Sequence, residues 1–168
     1  MDSSSSHSCS NIIAFPNSQK TRTRSILNQL LKRAIERPKV GCSRIAAVLV
    51  YKNQFFYGGN SYKSHPFQAK YSKNPDSIYL HAEVDAINKA RKVLSPLEMR
   101  KATLYIARVK GRPTVDQDCD TLLWGLAKPC KGCQRAIYME GVGRVIFTTD
   151  ETGVWEEWET NFDERLAA

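Results

Sequence analysis

The sequence predicts an α/β fold in which helices pack on the faces of a mixed sheet. Segments with apolar residues at helical period alternate along the chain with short, β-branched apolar runs, the order that builds such layers. With 168 residues and 42% hydrophobic content, the chain is long enough for one domain with a real core and too short for two. No run of eighteen apolar residues occurs, so no segment reads as a membrane span.

The opening MDSSSSHSCSNIIAFPNSQKTRTR is Ser-rich and turns basic at its end. It lacks the charged-then-apolar pattern of a secretion signal. Asp2 and the lack of an arginine-studded amphipathic face argue against an organellar transit peptide. Residues 1–20 are therefore expected to form a disordered tail ahead of a single domain over residues 21–168. In ILNQLLKRAIER, Ile26, Leu27, Leu30, Leu31, Ala34 and Ile35 share one helical face, and Pro38 stops the helix. RIAAVLVY, Arg44 to Tyr51, reads as a strand that turns at Lys52-Asn53-Gln54 and returns as FFYGG, a hairpin.

Asn60 to Ser77 is polar and broken by His65-Pro66 and Asn74-Pro75, so it reads as a long loop, a feature that usually serves function. A helix from about Leu80 carries Val84, Ala86, Ile87, Ala90, Val93 and Leu94 and ends by Ser95-Pro96. ATLYIARV, Ala102 to Val109, is the next strand. A second long connection, Lys110 to Lys128, holds Asp116, Asp118, Asp120 and Trp124, the last read as core. The third helix starts near Cys130 and ends at Gly141 or Gly143, and RVIFTTD is a strand. The closing segment, with Trp155, Trp158 and Phe162 at three- and four-residue steps, reads as a short amphipathic helix covering the sheet or a partner subunit.

Charge is uneven: residues 1–64 carry a net +8, residues 65–129 +4 and residues 130–168 −4. A basic first third attracts polynucleotide, or the phosphate of a nucleotide, or is an ordinary solvated face. Five cysteines, at 9, 42, 119, 130 and 133, lack the spacing of a disulfide framework, which predicts a reducing, cytoplasmic compartment.

Two short stretches carry the chemistry. LHAEVDAI places His81 and Glu83 at the front of a helix; a lone histidine there is compatible with a plain core or surface role. AKPCKGCQRAI supplies Cys130 and Cys133, which share a face at a helical first turn, where unpaired N–H groups and the helix dipole favour thiolates. By itself a CxxC pair is compatible with zinc, redox chemistry or chance. A thioredoxin-like site would set the pair after a strand early in a βαβ unit, whereas here it comes after a nineteen-residue connection. Redox chemistry also leaves His81 and Glu83 unexplained. Two thiolates and one imidazole make the three protein ligands of a catalytic zinc, with Glu83 beside it as a proton carrier.

Together His81-Ala82-Glu83 and Pro129-Cys130-Lys131-Gly132-Cys133 resemble the signature of the zinc-dependent cytidine and deoxycytidylate deaminase superfamily, over about Leu27 to Asp150. The resemblance implies a three-layer α/β/α fold on a mixed sheet of about five strands, the fifth of which is not evident in the sequence. It implies Zn2+ on His81, Cys130 and Cys133, with Glu83 as the catalytic acid/base. The reaction implied is hydrolytic deamination of a cytosine nucleotide, with dCMP as the leading substrate. YGGNSYKSHP is similar to the stretch in deoxycytidylate and phage-type deaminases where an Asn contacts the substrate's sugar, which makes Asn60 the candidate here. Ala82, and Lys63 and Arg44 for the phosphate, complete the expected substrate contacts, with Lys70 a further basic residue in range. A homo-oligomer is also implied.

Two other readings stand beside this one. The basic first third and the aromatics Phe55, Phe56, Tyr57, Tyr62 and Tyr71 suit a deaminase acting on tRNA or single-stranded DNA. A non-catalytic module with structural zinc would need a fourth protein ligand, for which Cys119 is the candidate, and would leave Glu83 without a purpose.

Overall fold

Strand β1 (Arg44–Tyr51) is buried on both faces: Ala47 and Leu49 meet one layer of helices, Ala46, Val48 and Val50 the other. That double burial is why its sequence is a continuous apolar run and not an alternating one. In the computed structural model, which describes residues 17–37, 44–72 and 79–160, this strand lies inside a mixed sheet. The order is β2 (Gln54–Gly59), β1, β3 (Thr103–Val109), β5 (Arg144–Thr148), β6 (Trp155–Glu159), and the two-residue β4 (Trp124–Gly125) pairs with β3. Among the described residues β3 and β5 run parallel, and the other pairings are antiparallel.

One face is covered by α1 (Asn17–Glu36), whose Leu27, Leu30 and Leu31 are fully buried. The other is covered by α3 (Ala82–Ala90) and α5 (Lys131–Met139), with α2 (Pro66–Tyr71) and α4 (Pro96–Lys101) beside them. A parallel pair needs a crossover, and α5 lies in the one joining β3 to β5. The layers are those expected of an α/β/α sandwich. Within the described residues no helix is long and apolar enough to cross a membrane.

Four elements differ from the sequence reading. The Trp155 to Phe162 segment was expected as a helix, but Trp155–Glu159 is an edge strand, paired with β5 from Thr148↔Trp155 to Arg144↔Glu159. A three-residue step places Trp155 and Trp158 on opposite faces of a strand, and each packs on a different core. The glutamates between and after them suit a sheet edge that must not pair further. This strand supplies the fifth member that the sequence hid; Phe162 lies outside the described residues.

Two prolines read as breakers open helices instead. Pro66 comes after His65, whose Nδ1 accepts from the Phe67 N–H, and Pro96 comes after Ser95, which forms a capping box with Glu98. Proline at the first helical position lacks only an N–H that would have no partner there anyway. The loop from Asn60 therefore contains α2, and α4 begins just beyond the point where the preceding helix was expected to end. Finally, α1 begins at Asn17, inside the stretch expected as tail and well before Ile26. Residues 1–16 lie outside the described residues.

Candidate metal centre and active site

Helices α3 and α5 bring their N-terminal ends to one place. His81 is the N-cap of α3 and Cys130 the N-cap of α5, both in extended conformation, and Cys133 sits buried in the first turn of α5. Neither cap side chain closes a capping hydrogen bond, so both are free to face a ligand. Nδ1 of His81 lies 3.6 Å from Cys130 Sγ and 3.3 Å from Cys133 Sγ.

All three donor atoms fall within 4.8 Å of one another. A tetrahedral zinc, with bonds of about 2.3 Å to sulfur and about 2.0 Å to nitrogen, sets nitrogen–sulfur edges of about 3.5 Å. Spacing and soft donors therefore fit zinc, and the three protein ligands found among the described residues leave its fourth position for a small molecule.

The electrostatics agree with that fit. Cys130 is held down to about 3, first by its hydrogen bond with the Cys133 thiol, then by bonds to His81 and the α5 backbone. Cys133 is pushed well above the thiol range by the same Cys130 bond and by burial, and His81 is raised chiefly by its bond to Cys130. Such a cluster shares protons that a divalent cation would displace. Glu83, 5% exposed, is raised from its ordinary carboxylate value by burial. A carboxyl group lifted this way holds a proton more readily than a free one, which suits a proton carrier.

The centre opens into a cavity of about 350 Å³ lined by Ile45, Asn60, Tyr62, Tyr79, Leu80, His81, Ala82, Glu83, Lys128 and Cys130. Of the residues expected at the site, His81, Glu83, Cys130, Asn60 and Ala82 are thus brought together. Exposed Tyr62 and Tyr79 meet edge to face at the mouth, ring centroids 5.8 Å apart.

Other expected residues lie elsewhere. Arg44 faces the α1 layer, where its guanidinium donates to the carbonyls of Ile35 and Arg37, 3.2 and 3.1 Å away, and so closes the end of α1. Arg44 and Lys63 are both absent from the cavity lining; the Lys63 backbone instead pairs with Leu80. Lys70 sits 3.7 Å from Glu140. Cys119 is buried against α1, its thiol 3.6 Å from the Asn28 carbonyl, on the far face of the sheet from His81. It is therefore no fourth ligand. Trp124 is core, its indole N–H donating to the Cys119 carbonyl. Of the candidate stacking residues only Tyr62 reaches the cavity: Tyr71 is buried, and Tyr57 is covered by the Arg33 guanidinium at 3.6 Å.

Sequence reasoning missed Lys128 and Tyr79. Lys128 stands next to Pro129-Cys130 and Tyr79 just ahead of Leu80-His81, so nearness to the two motifs was the available signal.

Soft donors, an open coordination position and a buried carboxyl in one cavity are the equipment of a hydrolytic zinc enzyme. Residues 19–149 match the family described as the cytidine and deoxycytidylate deaminase zinc-binding region, and the chain belongs to that family of zinc-dependent hydrolytic deaminases. Among solved structures it is similar to the dCMP deaminase of cyanophage S-TIM5 in its apo form, at 16% identity over 83% of this chain and 90% of that one, with a TM-score of 0.46. No curated protein matches.

Proposed function

We propose that the protein deaminates a cytosine mononucleotide, with dCMP, converted to dUMP and ammonia, as the preferred substrate. The observation that carries this reading is the cavity of about 350 Å³, which joins the soft donors and Glu83 to Asn60 and to the cation Lys128. Pockets of this size bury ligands of nucleotide scale. Zinc held by His81, Cys130 and Cys133 supplies the Lewis acidity that makes water nucleophilic near neutral pH. Glu83 takes one proton from the attacking water at its carboxylate and delivers it to ring N3, then carries the second proton of that water to the amino group, so that the C4–N bond breaks, ammonia leaves and the oxygen stays on C4 as the carbonyl. Ala82, at 1% exposure, offers its backbone to the ring edge. Asn60 holds the sugar, and Lys128 meets the 5′-phosphate in place of Arg44 and Lys63.

A second reading, deamination within polynucleotide, is favoured by one observation: Tyr62 and Tyr79 are 58% and 44% exposed at the mouth, where flanking bases could stack. A reducing, cytoplasmic setting that keeps Cys130 and Cys133 as thiols, and a homo-oligomeric assembly, go with either reading.

The test offers zinc-loaded protein a mixture of dCMP, CMP, deoxycytidine, dCTP and a cytosine-containing single strand, and tracks the mass change of deamination. Conversion confined to mononucleotides supports the proposal. Conversion of the strand alone transfers it to the second reading, and no conversion by zinc-loaded protein rejects both.

A further inference from the structure

Between β2 and α3 the chain makes an excursion whose two ends are paired. The Ser61 N–H donates to the Leu80 carbonyl, the Leu80 N–H donates to the Lys63 carbonyl, and Ser64 bridges Tyr79. The next N–H in line is that of His81. As an N-cap it has no partner within its own helix. Its partner is the Gln68 side chain: Oε1 accepts from the His81 N–H at 3.0 Å, while Nε2 donates to Ser72 Oγ at 2.8 Å. Gln68 is completely buried, so both ends of its amide are used and neither can turn away.

The helix that carries Gln68 is held by both zinc-site helices. On the α5 side the Arg135 guanidinium donates to the Tyr71 carbonyl at 2.7 Å, and the Tyr71 hydroxyl donates to Glu140. Ser72 Oγ stands 3.3 Å from where a Cβ on Gly132 would lie, between the two cysteines. On the α3 side the Arg91 guanidinium covers the Phe67 ring at 4.4 Å. Helix α2 thus clasps the start of α3 to α5, and the side chain through which it reaches the peptide of a zinc-site residue is Gln68.

We propose that Gln68 is a positioning residue for the metal: by fixing the peptide that enters His81, it fixes where the imidazole points relative to Cys130 and Cys133. The inference rests on His81 being a zinc ligand, as in the proposed function. Groups that orient ligands from behind typically change metal affinity by about tenfold to hundredfold when removed.

The test compares wild type, Gln68→Met and Gln68→Glu as full-length, zinc-loaded proteins. Three quantities are read: the rate of zinc transfer to excess chromophoric chelator, the absorption bands of the Co2+-substituted site, and the thermal midpoint with and without metal. Met keeps the side chain's length and removes both hydrogen bonds. It is expected to release zinc about tenfold faster, with shifted cobalt bands. Gln68→Glu still accepts from the His81 N–H, and from the Ser72 hydroxyl, so it is expected to stay close to wild type in zinc release and in the cobalt bands. Zinc release at the wild-type rate from Gln68→Met overturns the proposal, as does an equal fall in midpoint with and without metal, which marks a purely structural role. If Gln68→Met does not fold, Ser72→Ala frees the amide to rotate and is expected to speed release by a smaller factor; unchanged release there overturns it equally. Zinc binding by wild type without any deamination rejects the proposed substrate and leaves this inference standing, whereas failure of wild type to bind zinc rejects both.

Discussion

A Cβ placed on Gly58 would lie 2.1 Å from the Ala82 carbonyl oxygen and 2.5 Å from the Ala86 nitrogen. Helix α3 therefore rests directly on β2, backbone against backbone, and that contact sets the height of His81 and Glu83 above the sheet. Asp85 and Lys89 hold the helix in this seat, Asp85 accepting from the Gly59 N–H at 3.2 Å and Lys89 donating to the Tyr57 carbonyl at 2.8 Å.

Gly58→Ala should thus act on stability and on the site together. The obstacle is main chain and cannot rotate aside, so α3 has to lift; overpacking of this kind costs about 1–3 kcal/mol. The expected result is a lower urea midpoint with unchanged slope, accompanied by substoichiometric zinc. Loss of stability with full zinc occupancy would show that the seat of α3 does not govern the metal centre.

Glu83→Gln separates chemistry from architecture. The amide matches the carboxyl in shape but cannot carry a proton between water, ring and leaving group. A fall in kcat of about two to four orders of magnitude is expected. Zinc content should be unchanged. Thermal stability should be equal or higher, because burial penalises the charged form of Glu83 and the variant removes that penalty. Activity of the variant within about threefold of wild type, far short of the loss expected for a proton carrier, would remove Glu83 from the mechanism.

Lys128 gives the proposal its phosphate contact, and Lys128→Ala tests that role by substrate comparison. KM for dCMP should rise about tenfold, the scale of one partly exposed charge-assisted hydrogen bond, while the constants for deoxycytidine stay as they were. Equal losses on nucleotide and nucleoside would argue that Lys128 shapes the cavity and does not read the phosphate.

The site was more legible in the sequence than its surroundings, for a physical reason. His81, Glu83, Cys130 and Cys133 belong to two local motifs, and each motif forms a helical first turn whose geometry is set by a few residues. Whatever depends on distant packing was not legible. The spacing of Trp155 and Trp158 suits a helix as well as a strand, and only pairing with β5 decides between them. Pro66 and Pro96 read equally as stops and starts until His65 and Ser95 are seen to cap α2 and α4. Arg44 was placed near the phosphate by its position in the chain. Strand alternation turns it to the other face, where it serves the end of α1.

The loop that ends in Lys128 is pinned from outside by Asp150, and this gives an acid dependence of known sign. Asp150 accepts from Lys110 Nζ at 2.8 Å and from the Leu126 N–H at 3.1 Å, and these bonds, that of Lys110 first, lower it below the usual carboxylate value. A carboxylate whose value is lowered by folding stabilises the folded state above its unfolded value, about 3.9 for Asp, and loses that contribution as pH falls through the folded one. Asp150→Asn should accordingly lower the thermal midpoint at about pH 7 by a small amount, since the pair is exposed, and the gap from wild type should close as the pH falls through the lowered value of Asp150. Asp150→Ala, which removes the acceptor as well as the charge, frees the Leu126 N–H, two residues from Lys128, so its KM for dCMP should rise while that for deoxycytidine is unmoved. A midpoint gap that stays constant from about pH 7 to about pH 2 would mean that Asp150 acts by shape and not by charge.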